Sequence, residues 1–294
     1  MYIDGVFSGG GIKGFALIGA YAALEEKGIK FKCLAGTSAG AIIAALIKAG
    51  YTSEELEKIM DAIELKDFLD ARKTFLPIPF AKWLFLYKRL GLYRGEVLEK
   101  WLEALLSAKG IATFGDLPPD SLKLVASNLT MGTLIVLPDD LPRYGINPSS
   151  FSVAKAVRMS CSLPYFFEPV KLKPRTGAHL IVDGGVLSNF PIWLFEKALD
   201  SRKRPVLGVK LSANFYNQPV HKVDNAISLF TSLFDTMMKA HDLKYISRVH
   251  EDHIVFIPVE GGLTTEFNLD DEQKHKLIQH GKERTEQFLK KWSY

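Results

Sequence analysis

Three clusters of residues have types and spacings suited to chemistry. The first is Gly36-Thr37-Ser38-Ala39-Gly40, a serine with a glycine two positions to either side. Between an apolar strand and an apolar helix, this pattern makes a sharp turn that presents the hydroxyl at a helix N-terminus. Free N–H groups and the helix dipole there favour developing negative charge. Glycine suits the flanks because a side chain would collide with neighbouring backbone. The second cluster is Gly9-Gly10-Gly11-Ile12-Lys13-Gly14, again after a strand. Such a loop cradles a dinucleotide pyrophosphate or, through exposed N–H groups, an oxyanion. The dinucleotide use wants an acidic residue ~20 residues on, near the end of the second strand. That strand instead ends in Cys33-Leu34-Ala35-Gly36 and runs into the serine turn. The third cluster is Asp183-Gly184-Gly185, a carboxylate closing the short apolar run 179–182. It reads either as an acid–base group or as an ordinary Asp-Gly turn.

A serine hydroxyl needs a base to become a nucleophile. Of the seven histidines, His221, His241, His250, His275 and His280 sit in charged or polar surroundings, and His179 and His253 open strands. His179 lies four residues before Asp183, on the same strand face but ~13 Å away. With Asp183 at the active rim, His179 is near the opposite end. Ser38 is a candidate nucleophile and Asp183 a stronger candidate than any histidine for its base, with the ordinary turn remaining the other reading of Asp183. The backbone N–H groups of Gly9, Gly10, Gly11 and Ala39 form the expected oxyanion hole. An aspartate near its ordinary pKa of ~3.9 is a weak base toward serine, so desolvation must raise it. Lys13 either adds positive charge near the oxyanion or a phosphate, or is an ordinary solvated lysine.

The elements that must position these residues follow from periodicity and punctuation. Residues 2–7 read as a strand, with a helix to about Lys27 stopped by Gly28. Residues 30–35 read as a second strand, and 39–49 as an apolar helix ended by Gly50. Strand, helix, strand, helix implies a right-handed crossover and parallel pairing. Thr52 and Glu55 make a capping box. A helix resumes near Gly95, with Leu98, Trp101, Leu102, Leu105 and Leu106 on one face. Strands are expected at 122–127, 133–137, 179–182, 205–211 and 253–259. Helices are expected at 152–160, 191–200, 225–248 and 270–291. Between 65 and 93 regular pattern is lost and Phe68, Phe75, Phe80, Trp83, Phe85, Tyr87 and Tyr93 accumulate among Lys73, Lys82, Lys88 and Arg89. This mixture reads as a cap facing acyl chains or a membrane interface, or as a flap packed on the core. The expectation is one α/β domain over 1–294. It is a three-layer sandwich with a mostly parallel central sheet, helices on both faces and an aromatic-rich cap inserted at 65–93.

Composition narrows the function. The chain has 294 residues, is 47% hydrophobic and 24% charged, and carries a net charge of +4. Those proportions exclude disordered, collagen-like and coiled-coil chains. The mild basicity falls short of a dedicated nucleic-acid binder and is compatible with attraction to anionic lipid. Two cysteines, Cys33 and Cys161, provide neither a disulfide framework nor a zinc-ligand cluster. No apolar run approaches the ~18 residues of a membrane span, and no secretory signal precedes the first strand. The cytoplasm is the expected compartment, with peripheral membrane contact.

The three clusters, in this order, resemble the patatin-like phospholipase family. Further likeness lies in Ala156-Val157-Arg158-Met159-Ser160-Cys161-Ser162-Leu163-Pro164 with Tyr165 to Pro169, and in Asn189-Phe190-Pro191. The resemblance covers roughly residues 2–212. It implies a serine–aspartate dyad acting on lipid esters without cofactor or metal. Ser38 would be the nucleophile, Asp183 the base and the glycine loop the oxyanion hole. The implied substrate is a phospholipid or lysophospholipid, taken up at a membrane surface. Two other readings share these residues: acyl transfer to an acceptor other than water, and a nucleotide-binding module built on the glycine loop.

Overall fold

The computed structural model describes residues 1–72, 86–172, 177–196, 204–213, 223–224, 228–229, 232–234, 236–238, 251–259 and 269–292. Strand β1 (Tyr2–Phe7) leads through the glycine loop into helix α1 (Phe15–Glu26). Strand β2 (Lys30–Thr37) then turns at Ser38 into α2 (Ala39–Lys48). Helix α3 (Ser53–Asp61) starts on the expected capping box, with the Glu55 N–H donating to Thr52 Oγ1 at 3.2 Å and the Thr52 N–H to Glu55 Oε2 at 2.9 Å. A short strand β3 (Gly91–Tyr93) precedes α4 (Glu96–Ala108). Strands β4 (Leu122–Asn128) and β5 (Thr133–Leu137) follow, then helix α5 (Val153–Ser160). After it come β6 (Tyr165–Phe167), β7 (Val170–Leu172), β8 (His179–Asp183), β9 (Val206–Ala213), β10 (Ile254–Val259) and α6 (Asp271–Leu289).

The central sheet has the order β10-β9-β1-β2-β4-β8-β7, with β5 also paired to β4. The run from β10 to β4 is parallel, as the alternation of strands and helices requires. Beyond β4 the sheet turns antiparallel, through β5, β8 and β7. Leu124 and Val125 pair with both β2 and β5, and Ala126 to Asn128 with both β5 and β8. So β5 follows one edge of β4, while β2 and β8 share the other, one after the other. β2 runs with β4 and β8 runs against it. Their carboxyl ends therefore meet head to head, with Thr37 opposite Val125 and Asp183 opposite the next residue, Ala126.

One face of the sheet buries Ile3, Phe7, Leu34, Val209 and Ile257 against α1, α2, α5 and α6. The other buries Val6, Cys33, Ala35 and Val206 against Phe190, Ile192 and Phe195. The expected helix at 191–200 is described as a single 3-10 turn, Ile192–Phe195, and its remainder falls outside the described residues. Only parts of 225–248 are described. Residues 228–229, 232–234 and 236–238 are helical.

The cap segment has more regular structure than its pattern predicts. Leu65–Phe68 is a 3-10 turn, and β3 pairs in parallel with β6 as a separate ribbon. Strands of three residues are too short to show alternation, so β3, β6 and β7 have no sequence signature. Phe75, Phe80, Trp83 and Phe85 lie outside the described residues. Ionic contacts hold both ends of the cap. The Asp70 carboxylate accepts the N–H groups of Gly95, Glu96 and Val97 at 2.6, 2.8 and 3.1 Å, satisfying the orphan donors of α4. Arg72 donates two hydrogen bonds to Glu168, at 2.6 and 2.9 Å. The buried Arg158 guanidinium donates to the carbonyls of Gly95 at 2.8 Å, Arg94 at 2.6 Å and Glu168 at 3.0 Å, and to the Ser162 hydroxyl.

Helix α6 lies on α1 through two glycines. A Cβ at Gly281 would stand 1.9 Å from the Ala16 carbonyl oxygen, and one at Gly19 would stand 1.8 Å from that of Ile278. The helix axes can be this close only without side chains there. Gly281→Val should destabilise the fold by about 1–3 kcal/mol, the usual cost of overpacking. Thermal unfolding checks this, with a midpoint several degrees lower expected.

Candidate active site

Ser38 sits at the junction of β2 and α2 with φ 53° and ψ −122°. A positive φ is strained for a residue with a side chain, at a cost of about 1–3 kcal/mol. The surrounding contacts impose it. A Cβ at Gly36 would lie 2.4 Å from the Gly40 carbonyl oxygen, and one at Gly40 would lie 2.2 Å from that of Phe7. The two glycines of the motif thus let the turn close on itself and on β1. The Ser38 N–H donates to Ser160 Oγ at 3.0 Å, and that hydroxyl donates to the Val125 carbonyl at 2.6 Å. The Ser38 carbonyl accepts from the N–H groups of Ala41 and Ile42 in the first turn of α2. Thr37 Oγ1 donates to the Ser188 carbonyl at 3.0 Å, tying the turn to the chain after Asp183.

Asp183 ends β8 with only 3% of its surface exposed. Its Oδ1 accepts the Gly185 N–H at 2.7 Å, and the Ser38 side chain stands near enough to the carboxylate to lower its pKa. Its own N–H donates to the Ser162 carbonyl at 2.8 Å. Burial lifts the carboxyl to about 7, against the Gly185 N–H and the Ser38 side chain, which pull it down. The group therefore stands as a carboxylate with weak hydration and a basicity near neutral pH. Such a base matches proton removal from a hydroxyl better than a solvated aspartate.

The glycine loop abuts the serine turn, and a Cβ at Gly9 would stand 3.3 Å from that of Ser38. The four expected N–H donors do not stand alike. The Gly9 N–H is committed to the Asn189 carbonyl at 2.9 Å, so Gly9 serves close approach and not donation. Among the described residues no acceptor takes the N–H of Gly10 or Gly11. Ala39 is the first residue of α2, so its N–H is free of intrahelical bonding. Gly10, Gly11, Ser38, Ala39 and Asp183 all border one cavity of about 150 Å³. Phe15, Ile18, Ile42, Met60, Phe68 and Trp101 give the same cavity an apolar lining drawn from α1, α2, α3, the 65–68 turn and α4. A largely apolar lining with a few convergent polar groups suits an apolar ligand held by one polar end. Lys13 is buried, which removes its solvated reading.

His179 lies at the outer end of β8. Its Nδ1 is 3.2 Å from Asn128 Nδ2, and its ring packs edge-on against Tyr144. Two features escaped sequence reasoning. The Ser160 hydroxyl, which fixes the Ser38 N–H, is one of several serines in its stretch and has no local signature. Phe234 and Met238 border the cavity from a segment distant in sequence. Among the described residues, no group of three or more His, Cys, Asp or Glu side chains could hold a metal ion. No described helix is long and apolar enough to cross a membrane.

Comparisons with known proteins bear on the family and the fold. The family model described as Patatin-like phospholipase matches residues 5–195. Uncharacterized protein YqhO of Bacillus subtilis is 57% identical over 294 residues, the full length of both chains. Probable lipid hydrolase 463L of Invertebrate iridescent virus 6 is 26% identical over 74% of this chain and 72% of its own. The crystal structure of VipD from Legionella pneumophila superposes with a TM-score of 0.61 at 19% identity, covering 99% of this chain and 67% of that one. ExoU from Pseudomonas aeruginosa, in complex with SpcU, gives 0.53 at 19% identity, over 99% of this chain and 52% of that one.

The raised Asp183 carboxyl links stability to pH. Its pKa is above the unfolded value, so its contribution is greatest below pH 3.8 and is lost as pH rises to about 7. Asp183→Asn removes this loss. The stability of the variant relative to wild type should rise by up to ~1.4 kcal/mol per pH unit across that window and level off above it. Urea unfolding of both proteins at a series of pH values measures the difference.

Proposed function

The chain belongs to the patatin-like phospholipase family, and from that premise we propose that it is a lipid acyl hydrolase of the phospholipase A or lysophospholipase type. The observation that carries this reading is that Ser38 and a buried Asp183 carboxylate of raised pKa border one cavity with an apolar lining. Ser38 Oγ attacks the ester carbonyl carbon and passes its proton to Asp183. The carbonyl oxygen becomes an oxyanion held by the N–H groups of Gly10, Gly11 and Ala39. One such donor is worth about 2.7–4 kcal/mol of barrier. The tetrahedral intermediate collapses, the bond to the leaving alcohol breaks, and Asp183 returns the proton to that oxygen. Water then attacks the acyl-serine while Asp183 takes its proton, and the fatty acid leaves as Ser38 regains its hydrogen. The aromatic and aliphatic lining supports an acyl chain as the bound group.

The strained elbow also supports the reading. A serine fixed at φ 53° by Ser160, Gly36 and Gly40 needs little reorganisation before attack. Asp183 must be deprotonated to act. The rate with a soluble ester is therefore expected to rise with pH, with a midpoint near 7 in kcat/KM.

Assays on a short-chain soluble ester test the assignment. Ser38→Ala should abolish hydrolysis with little change in unfolding midpoint. Asp183→Asn should lose about three orders of magnitude, as expected when the base leaves a coupled unit. His179→Ala should keep at least a tenth of wild-type activity, and EDTA should have no effect. An inactive but folded His179→Ala, or an active Asp183→Asn, would replace the dyad with a histidine-based mechanism.

A further inference from the structure

Asn189 is a polar group at the cavity that the mechanism above leaves unused. It opens the run Asn189-Phe190-Pro191, shortly after Asp183 in the chain. The residue is 7% exposed and borders the cavity together with Ser38 and Asp183. Its backbone carbonyl accepts the Gly9 N–H at 2.9 Å, but among the described residues its side-chain amide has no hydrogen-bond partner. Burying an amide without a partner costs free energy. The surrounding elements leave this one at the cavity instead of pairing it.

The glycine loop is shaped around that side chain. A Cβ at Gly9 would stand 2.2 Å from Asn189 Oδ1, 3.3 Å from Asn189 Cγ and 3.3 Å from Ser38 Cβ, the three atoms nearest to that point. Oδ1 is therefore turned to the loop and Nδ2 away from it. The amide and the carbon that bears the Ser38 hydroxyl meet across Gly9. Gly9 has no positive φ, so its missing side chain serves this approach and not a turn. Gly10, Gly11 and Asn189 border the cavity, whereas Gly9 does not. With the Gly9 N–H committed to the Asn189 carbonyl, the Asn189 amide stands where a further donor of the loop would be expected.

We propose that the Asn189 side-chain amide is a catalytic donor of the oxyanion hole. Its Nδ2–H meets the ester carbonyl oxygen beside the N–H groups of Gly10, Gly11 and Ala39. This rests on the hydrolase reading and adds a side-chain donor to a hole built from backbone. As Ser38 Oγ bonds to the carbonyl carbon, the π pair of the C=O bond moves onto oxygen and the hydrogen bond from Nδ2 strengthens. No proton leaves the amide. A donor in place before the charge develops lowers the barrier with little reorganisation. Its neutrality also matters. A cation in the same cavity would pull the Asp183 carboxyl down and weaken the base, whereas an amide leaves the raised pKa intact.

Two variants separate a donor from a space-filling side chain. Asn189→Ala removes the amide. Asn189→Asp keeps its shape and, at alkaline pH where the new carboxyl is ionised, replaces the donor with an acceptor. Both keep the main-chain carbonyl that holds Gly9. Each is compared with wild type in unfolding midpoint, in hydrolysis of a soluble nitrophenyl ester, and in phosphonylation of Ser38 by a fluorophosphonate. A nitrophenolate leaves without needing a proton, so a loss on this ester belongs to the carbonyl oxygen. The expected result in both variants is kcat lower by about 10²–10³-fold with KM within about threefold. Phosphonylation should slow by about tenfold or more, and the midpoint should stay within a few degrees of wild type. An unchanged kcat in either variant overturns the assignment, whether or not KM rises. A midpoint lowered in step with activity in both variants assigns the side chain to the fold and also overturns it. A wild type that cleaves no ester but is phosphonylated at Ser38, with the rate lost in both variants, keeps Asn189 as the donor and rejects the hydrolase reading instead. A wild type that is neither active nor phosphonylated overturns both.

Discussion

The site depends on one feature of strand pairing: β2 and β8 share a single edge of β4 and meet there carboxyl end to carboxyl end. Thr37 is held opposite Val125 and Asp183 opposite Ala126. The next residue after Thr37 is Ser38, so two residues 145 positions apart in sequence come to border one cavity. In a fully parallel sheet the carboxyl ends of strands lie side by side along one rim. Here the antiparallel β8 reaches the same point by filling the part of the edge that β2 leaves free. A one-residue slip of β8 would turn the Asp183 side chain to the opposite face. The antiparallel pairing of β8 with both β4 and β7 secures the register.

Two unfavourable local states are held at that junction. Ser38 is kept at positive φ, and Asp183 is kept in an apolar environment where its charge is weakly solvated. Each lowers stability, and in the proposed mechanism each prepares a chemical step: the half-buried Ser38 hydroxyl needs little rearrangement, and the desolvated carboxylate is a better base. The surrounding contacts impose both. Ser160 links the Ser38 N–H to the Val125 carbonyl of β4, and the Gly185 N–H donates to the carboxylate. Phe234 and Met238 contribute to the exclusion of water around Gly185. Arg158 extends the support outward by binding carbonyls at Arg94, Gly95 and Glu168, so the cap and β8 rest on the same helix.

Much of this was legible in the sequence, because the parallel half of the sheet is built from local signals. The strand–glycine–helix pattern at 2–27 and 30–49 reflects burial on both faces with glycine at the turns, and the structure follows it to within a residue or two. The end of β8 was visible because Asp183 closes an apolar run. Its antiparallel direction was not, since one strand's own residues do not record its partner. Gly9 illustrates a different limit. Its place in the loop was evident, but whether its N–H is free depends on the Asn189 carbonyl, 180 residues away. Tyr165 and Leu90 gave no sign of positive φ, since the adjacent Pro164 and Gly91 are the residues that would be expected to carry the turn.

The most direct test of the account is the pH dependence of Ser38 phosphonylation by a fluorophosphonate, with the modified peptide identified by mass spectrometry. This reaction needs the nucleophile and the base but no lipid, no interface and no product release. The account predicts label on Ser38 alone. The second-order rate should rise with pH to a plateau with a midpoint near 7, and Asp183→Asn should lower that plateau at least a hundredfold and remove the midpoint. Label on another serine, or an unchanged rate and pH profile in Asp183→Asn, would contradict it.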